Sequence, residues 1–186
     1  RAKQLVRQIL AFSRKSEQQQ VPVYPDLIIQ EVLNLIRASL PANIELFSEL
    51  NTPGEAVLGD STQLHQVLMN LCTNAYHAMP QGGILSLDLN NQTLEKGNLW
   101  GLPAAEYLEL QVSDTGTGIP PEILETIFDP YFTTKEKGEG TGLGLYLCRS
   151  IVNEHGGKLQ LEQSSQPGAC FIIRLPIASE ATKENS

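Results

Sequence analysis

Apolar and polar positions change period several times along the chain, and each change marks an element. Ala2, Leu5, Val6, Ile9, Leu10 and Phe12 recur at helical spacing, with Lys3, Arg7, Gln8, Arg14 and Lys15 on the opposite face, which predicts an amphipathic helix. The polar run Ser16 to Gln20, with Pro22 and Pro25, ends it. A second helix is predicted through LIIQEVLNLIRASL with Asp26 as its N-cap, closed by Pro41. IELFSEL then alternates like a half-buried strand, and Asp60-Ser61 can cap a longer helix to about Met79, where Pro80-Gln81-Gly82-Gly83 breaks it.

From there the period drops to two. ILSLDLNNQ and YLELQVS predict neighbouring antiparallel strands joined by a polar connection from about Thr93 to Ala105. After a loop-rich stretch from Ser113 to Thr141, Leu143, Leu147, Ile151 and Val152 mark a helix that stops at His155-Gly156-Gly157. KLQLEQ and ACFIIRLP finish as a strand pair, and ASEATKENS is a polar tail. Helices and strands that do not strictly alternate predict an α+β fold, a two-layer sandwich with helices on one face of a mixed sheet, plus the N-terminal amphipathic helix. A domain cut falls near residue 20.

Composition narrows the class. At 186 residues, 41% hydrophobic and 18% charged, the chain is predicted to be globular, and no apolar run approaches the roughly 20 residues of a membrane helix. The opening Arg1-Ala2-Lys3-Gln4 shows neither an initiator Met nor a signal peptide and reads as an excised piece. A net charge of −8 argues against nucleic acid as a partner, so any bound polyanion needs local positive charge. Cys72, Cys148 and Cys170 show neither a disulfide framework nor a zinc spacing and read as reduced, buried thiols of a cytoplasmic protein.

Three clusters carry chemistry. In HQVLMNLCTNAYHAM, the residues Leu64, Val67, Leu68, Leu71, Ala75 and Ala78 share the face predicted to meet the sheet, and Gln66, Asn70, Asn74 and His77 line an adjoining one. A merely solvated polar face is the alternative. In LELQVSDTGTGIPP, the inward parity of Leu108, Leu110 and Val112 continues to Asp114, so a carboxylate emerges on the apolar side at the strand's end, with Gly116 and Gly118 opening the backbone beside it. An adenine amino group needs such an acceptor, and an Asx-turn is the plain alternative. In KEKGEGTGLGL, glycines run into a helix N-terminus, whose free N–H groups and dipole favour phosphate, and a flexible linker is the alternative. Neither the G-x-x-x-x-G-K-[ST] loop nor G-x-G-x-x-G is present, since Pro121 and Leu143 occupy the third-glycine positions, and His65, His77 and His155 form no metal pattern.

With NLCTNA (70–75), DTGTGIP (114–120), FDPYFTTK (128–135) and GEGTGLGL (138–145) in this order, the chain resembles the ATP-binding catalytic domain of sensor histidine kinases, in the superfamily that also holds DNA gyrase, MutL and a heat-shock chaperone class. The match covers roughly residues 21–178. The resemblance implies a Bergerat-type fold with ATP and Mg²⁺ as cofactors and a mobile lid at about 128–141. Asn74 is implied as a Mg²⁺ ligand, with Asn70 a neighbouring ligand or a support behind it. Asp114 would accept from the adenine amino group, Gly116, Gly118 and Ile119 would border the base, and His77, Thr133, Thr134, Gly140, Thr141, Gly142, Leu143 and Gly144 would line the phosphates. Lys135 is the candidate γ-phosphate contact and the only catalytic candidate.

ATP-hydrolysing relatives place a Glu general base where this chain has Asn70, which accepts no proton, and that favours phosphoryl transfer over hydrolysis. The acceptor in the family is a histidine on the first helix of a dimeric bundle. No histidine precedes His65, and residues 1–20 resemble the second helix of that bundle, which implies a homodimer in the full-length protein. A response-regulator receiver domain is the implied relay partner. Neither nucleic acid nor membrane contact is expected of this piece, although the parent's own anchoring is left open. A non-catalytic ATP-sensing or scaffold module and an ATP-hydrolysing relative are the competing functions. His77 stands where many relatives have Lys, and Ala169-Cys170 follow Gly168 where many have a hydroxyl residue.

Overall fold

The computed structural model describes residues 21–135, 140–162 and 167–178. The predicted N-terminal helix, residues 136–139 of the predicted lid and the polar tail from 179 lie outside them. The elements run β1 (Val21–Val23), α1 (Pro25–Arg37), β2 (Ile44–Leu50), β3 (Val57–Gly59), α2 (Ser61–Ala78), β4 (Gly83–Leu94), β5 (Ala105–Asp114), a single 3₁₀ turn (Pro121–Ile123), α3 (Gly144–Glu154), β6 (Lys158–Glu162) and β7 (Cys170–Pro176).

Five strands form one mixed sheet in the order β2-β4-β5-β7-β6. β2 runs parallel to β4, and the other neighbours are antiparallel. Period-two alternation gives the sheet one apolar face: Leu85, Leu87 and Leu89 of β4, Leu108, Leu110 and Val112 of β5, and Phe171, Ile173 and Leu175 of β7 are buried in one cluster. Ile29 and Val32 of α1, Val67 and Leu71 of α2, and Val152 of α3 complete that cluster. The helices therefore form the second layer of a two-layer sandwich, on one face of the sheet, as the pattern predicts. None of the described helices is long and apolar enough to cross a membrane.

On the opposite face the β4–β5 connection folds back over the strands. Asn98 braces it, donating from Nδ2 to the carbonyls of Glu95 and Leu102. Trp100 lies 3.9 Å from the Arg174 guanidinium, which also pairs with the buried Glu109 at 2.6 Å.

Two local expectations are corrected. Asp26 is not an N-cap: α1 begins at Pro25, with extended Tyr24 at the cap position. A proline suits the first helical turn because its missing N–H would have no helical partner there. Asp26 instead reaches across the chain, its Oδ2 accepting from the Gly54 N–H at 3.2 Å. The helix also stops at Arg37, short of the predicted Pro41. The two-stranded pair β1–β3 is absent from the sequence expectation, because three-residue strands give too few positions for a period to show.

Asp60 does cap α2. Its Oδ1 accepts from the N–H groups of Thr62 at 2.7 Å and Gln63 at 3.3 Å. Its own N–H donates to Nε2 of the buried His155 at 3.0 Å, and His155 Nδ1 donates to the Ile151 carbonyl at 2.7 Å. This tautomer joins the start of α2 to the end of α3, the two helices that frame the candidate site. A Cβ on Gly59 would overlap the His155 ring. Gly59→Ala is expected to displace the ring, break its bond to Asp60 and cost about 1–3 kcal/mol of stability, the range for overpacking. The urea midpoint checks this, and an unchanged midpoint would mean that the ring yields without cost.

Candidate functional site

Asp114 ends β5 on the inward parity and is 8% exposed. Its Oδ1 accepts from the N–H of Gly116 at 2.8 Å and from that of Ala169 at 3.3 Å. The first bond is the Asx-turn anticipated as the plain alternative, so turn and acceptor coexist in one side chain. No described residue donates to Oδ2. Burial pushes the carboxyl above its ordinary range, against the pull of the two backbone N–H groups. A buried carboxylate with one oxygen saturated and the other available suits a ligand N–H donor.

The loop after Asp114 is tied to the end of α2. Thr117 N–H donates to the Ala78 carbonyl at 3.0 Å, and a Cβ on Gly116 would overlap that same carbonyl, which explains a glycine there without invoking a ligand. Gly118 has φ +70° and lies against the Gly168 backbone, and Ile119 packs on the core. One consequence is that Asp114 and the C-terminal half of α2, with Asn74 and His77, are held on one side of the molecule.

On α2, Asn70 and Asn74 are half-buried and His77 is exposed. The Cys148 thiol of α3 donates to the Val67 carbonyl at 3.7 Å, one turn before Asn70, and no described residue hydrogen-bonds the Asn74 amide. Among the described residues no group of three His, Cys, Asp or Glu side chains is placed to hold a metal ion. The oxygen donors at hand are amide carbonyls, a donor set that suits a hard cation carrying waters and phosphate oxygens of its own.

The described ends of the predicted lid meet each other. Tyr131, at φ +69°, donates its N–H to the Gly142 carbonyl at 2.8 Å, and a Cβ on Gly142, at φ +66°, would overlap the Tyr131 backbone. One turn further in, Gly140 sits against Thr133 Oγ1, which accepts from the Lys135 N–H at 3.2 Å. Thr134 is exposed. The start of the predicted lid is held to α3 through Arg149, which lies 5.1 Å from the Phe128 ring. Lys135 Nζ lies 3.2 Å from His77 Nδ1, a nitrogen also 2.7 Å from the Thr73 carbonyl. That nitrogen carries either a proton or a lone pair, so it serves one of these partners at a time.

Leu143 occupies the N-cap of α3 with no side-chain cap, Thr141 Oγ1 accepts from the Leu143 N–H at 3.4 Å, and open space surrounds Gly144. First-turn N–H groups of α3 thus have no capping side chain, the condition for receiving an anion.

Gly168 and Ala169 enter the sequence reading only as a departure from the family pattern, with no contact to Asp114 assigned to them. Ala169 acts through its backbone N–H, which no motif encodes, and Gly168 allows the close approach, since a Cβ there would overlap the Asp114 carbonyl. The signal in the sequence is a glycine just before the last strand, at a position where the chain departs from the family pattern. A separate cleft of about 590 Å³ between α3 and β6, lined by Phe128, Arg149, Asn153 and Leu161 among others, includes none of the predicted site residues.

Comparison with known proteins places these features in context. The family model described as "Histidine kinase-, DNA gyrase B-, and HSP90-like ATPase" matches residues 59–179. Sensor kinase CckA of Brucella abortus (strain 2308) is 40% identical over 181 residues, covering 95% of the chain and 19% of the relative. Sensor protein FixL of Bradyrhizobium diazoefficiens is 34% identical over 182 residues, covering 97% of the chain and 34% of the relative. The chain thus spans a fifth to a third of these relatives' length. Among solved structures, the catalytic domain of histidine kinase ThkA aligns with a TM-score of 0.70 and 32% identity over 86% of the chain and 96% of that domain. ThkA in complex with response regulator protein TrrA aligns at 0.71, with 28% identity over 95% of this chain and 47% of that one.

Proposed function

The chain belongs to the histidine kinase-, DNA gyrase B- and HSP90-like ATPase family, and on that premise we propose that it is the ATP-binding kinase domain of a two-component sensor histidine kinase. The observation that carries the nucleotide reading is Asp114: a buried carboxylate with Oδ1 saturated by two backbone N–H groups and Oδ2 available to an adenine amino group. Gly118 and Ile119 would border the base, and the uncapped first turn of α3 would face the phosphates. Asn74, with Asn70 beside it, would hold Mg²⁺, whose role when bound is to neutralise phosphate charge. Lys135, already drawn to α2 beside His77, would pair with the γ-phosphate.

Phosphoryl transfer needs placement and charge neutralisation from the protein rather than covalent chemistry. Asn70 cannot take a proton from water, so the domain is suited to delivering the γ-phosphoryl group to a positioned nucleophile. That nucleophile would be a histidine upstream of Arg1 on the first helix of a dimeric bundle, with residues 1–20 as the second helix, 21–178 as the catalytic domain and 128–141 as the lid. A response-regulator receiver domain would take the phosphoryl group on, as suggested by the ThkA complex with response regulator protein TrrA.

Incubating the parent chain with Mg·ATP tests the reading. The expected product is acid-labile, base-stable phosphate on a histidine before Arg1, abolished by Asn74→Ala. A parent that binds ATP and only releases free phosphate would instead establish a hydrolase.

A further inference from the structure

We propose that the cleft between α3 and β6 receives an extended, acidic segment of a partner protein, which joins the sheet as a further strand beside β6. Two features of the fold meet there. The cleft, about 590 Å³, is bordered by the unbroken run Lys158 to Leu161 of β6, by Arg149 and Asn153 of α3, and by Phe128. Successive strand residues point to opposite faces of a sheet, so four in a row border one space only along the strand's margin. That margin is open: β6 ends the order β2-β4-β5-β7-β6, and among the described residues it pairs with β7 alone. Alternate residues of β6 therefore direct N–H and C=O groups outward, where an added strand can pair with them.

The lining sets the chemistry of the guest. It holds two cations, Arg149 and Lys158, and no carboxylate, in a chain of net charge −8. Arg149 rests on the Phe128 ring and donates to the Phe128 carbonyl at 3.5 Å, and Lys158 donates to the Trp100 carbonyl. Neutral partners thus position both cations, and neither forms an ion pair with a described residue. Each keeps N–H donors to spare, since a guanidinium carries five and an ammonium three. Carboxylates of the guest would meet them in charge-assisted bonds, while buried Phe128 and half-buried Leu161 give its alternate side chains an apolar floor. A strand added at a sheet edge draws affinity from main-chain bonds and specificity from such alternate pockets. β6 is only five residues long and carries Lys158 and Glu162, and a short, charged edge resists indiscriminate pairing. Docking is thereby confined to a guest of matching charge.

The test uses the 186-residue chain and a blocked peptide of alternating glutamate and valine, about eight residues long so that it spans the edge of β6 at 3.3 Å per residue with room at both ends. A lysine–valine peptide is its counterpart. The acidic peptide is expected to bind saturably, more weakly as salt is added, and to shift the backbone amide resonances of Lys158 to Glu162 more than those elsewhere. Arg149→Ala is expected to weaken binding about 10-fold, the low end for a hydrogen bond to a charged group. Because Arg149 also touches Phe128, Asn153→Asp supplies a variant that spares the packing. Asn153 is exposed and one turn from Arg149, and a carboxylate there is expected to weaken the acidic peptide by a similar factor. No saturable binding of the acidic peptide, equal binding of the lysine–valine peptide, or affinity unchanged in both variants would overturn the proposal. Displacement of the peptide by a non-hydrolysable ATP analogue would overturn it too, by placing the peptide at the nucleotide site, as would resonance shifts that leave β6 untouched.

Discussion

Asp114→Asn is expected to weaken adenine-nucleotide binding about 10- to 150-fold, the equivalent of about 1.5–3 kcal/mol for a hydrogen bond to a charged group, while raising the melting temperature of the nucleotide-free protein. Both effects come from one environment. Asparagine keeps an oxygen for the N–H groups of Gly116 and Ala169 but can turn an NH₂ towards the donor that Oδ2 would otherwise receive. The stability gain follows from the raised folded-state pKa, whose first cause is burial. A carboxyl that holds its proton more tightly when folded contributes stability at pH values below the ordinary value of 3.8, and this contribution is lost as pH rises through the raised value. At neutral pH the ionised carboxylate is a cost that the uncharged isostere removes, a trade of stability for function. Acidification should act oppositely on the two properties, weakening nucleotide binding as Asp114 protonates while relieving this group's cost to the fold. Calorimetric titration and thermal melts of the variant check both. A variant that binds as tightly as the wild type would remove Asp114 from the site.

Gly168→Ala is expected to cost about 2–4 kcal/mol, combining overpacking with a left-handed backbone. Gly168 has φ +103°, and a Cβ there would overlap the Asp114 carbonyl oxygen and lie 2.6 Å from its carbon and 3.0 Å from Thr115 Cα. These are backbone atoms of the β5 end, held by the Asp114 N–H to Ala169 carbonyl bond at 2.9 Å and by the pairing of Ser113 with Cys170. Relief would require moving Asp114 itself, so nucleotide affinity should fall together with the denaturant midpoint. Gly97→Ala supplies the control, since Gly97 has φ +77° with nothing near its Cβ position. It should show only the conformational cost of about 1–2 kcal/mol. Equal losses in the two variants would mean that the overlap at Gly168 relaxes freely.

What was legible in the sequence is what depends on period and on local chemistry. Strand parity placed Asp114 on the buried side because alternation persists to the last residue of β5. Asp60-Ser61 and His155-Gly156-Gly157 marked helix ends because caps are local features of side chain and φ. The contacts that assemble the site across the chain were not legible. The Ala169 N–H reaches Asp114 across 55 residues and Lys135 reaches His77 across 58. The Cys148 thiol of α3 reaches the Val67 carbonyl of α2 across 81 residues. The first follows from the order β2-β4-β5-β7-β6, which brings β7 beside β5, and a single chain's periodicity specifies neither that order nor how the loops and helices meet. Asp26 failed as a cap because Pro25 suits the first helical position even better.

On the proposed reading, an adenine nucleotide sits against Asp114 with Mg²⁺ at the amide face of α2. Titrating the 186-residue chain with a non-hydrolysable ATP analogue and with its guanine counterpart, each with and without Mg²⁺, tests that claim most directly. The account predicts saturable binding of the adenine compound, strengthened by Mg²⁺ and lost in Asp114→Asn, and little binding of the guanine compound, whose ring carbonyl would meet the Asp114 carboxylate. Equal affinity for the two bases, or adenine binding indifferent to Asp114→Asn, would contradict it.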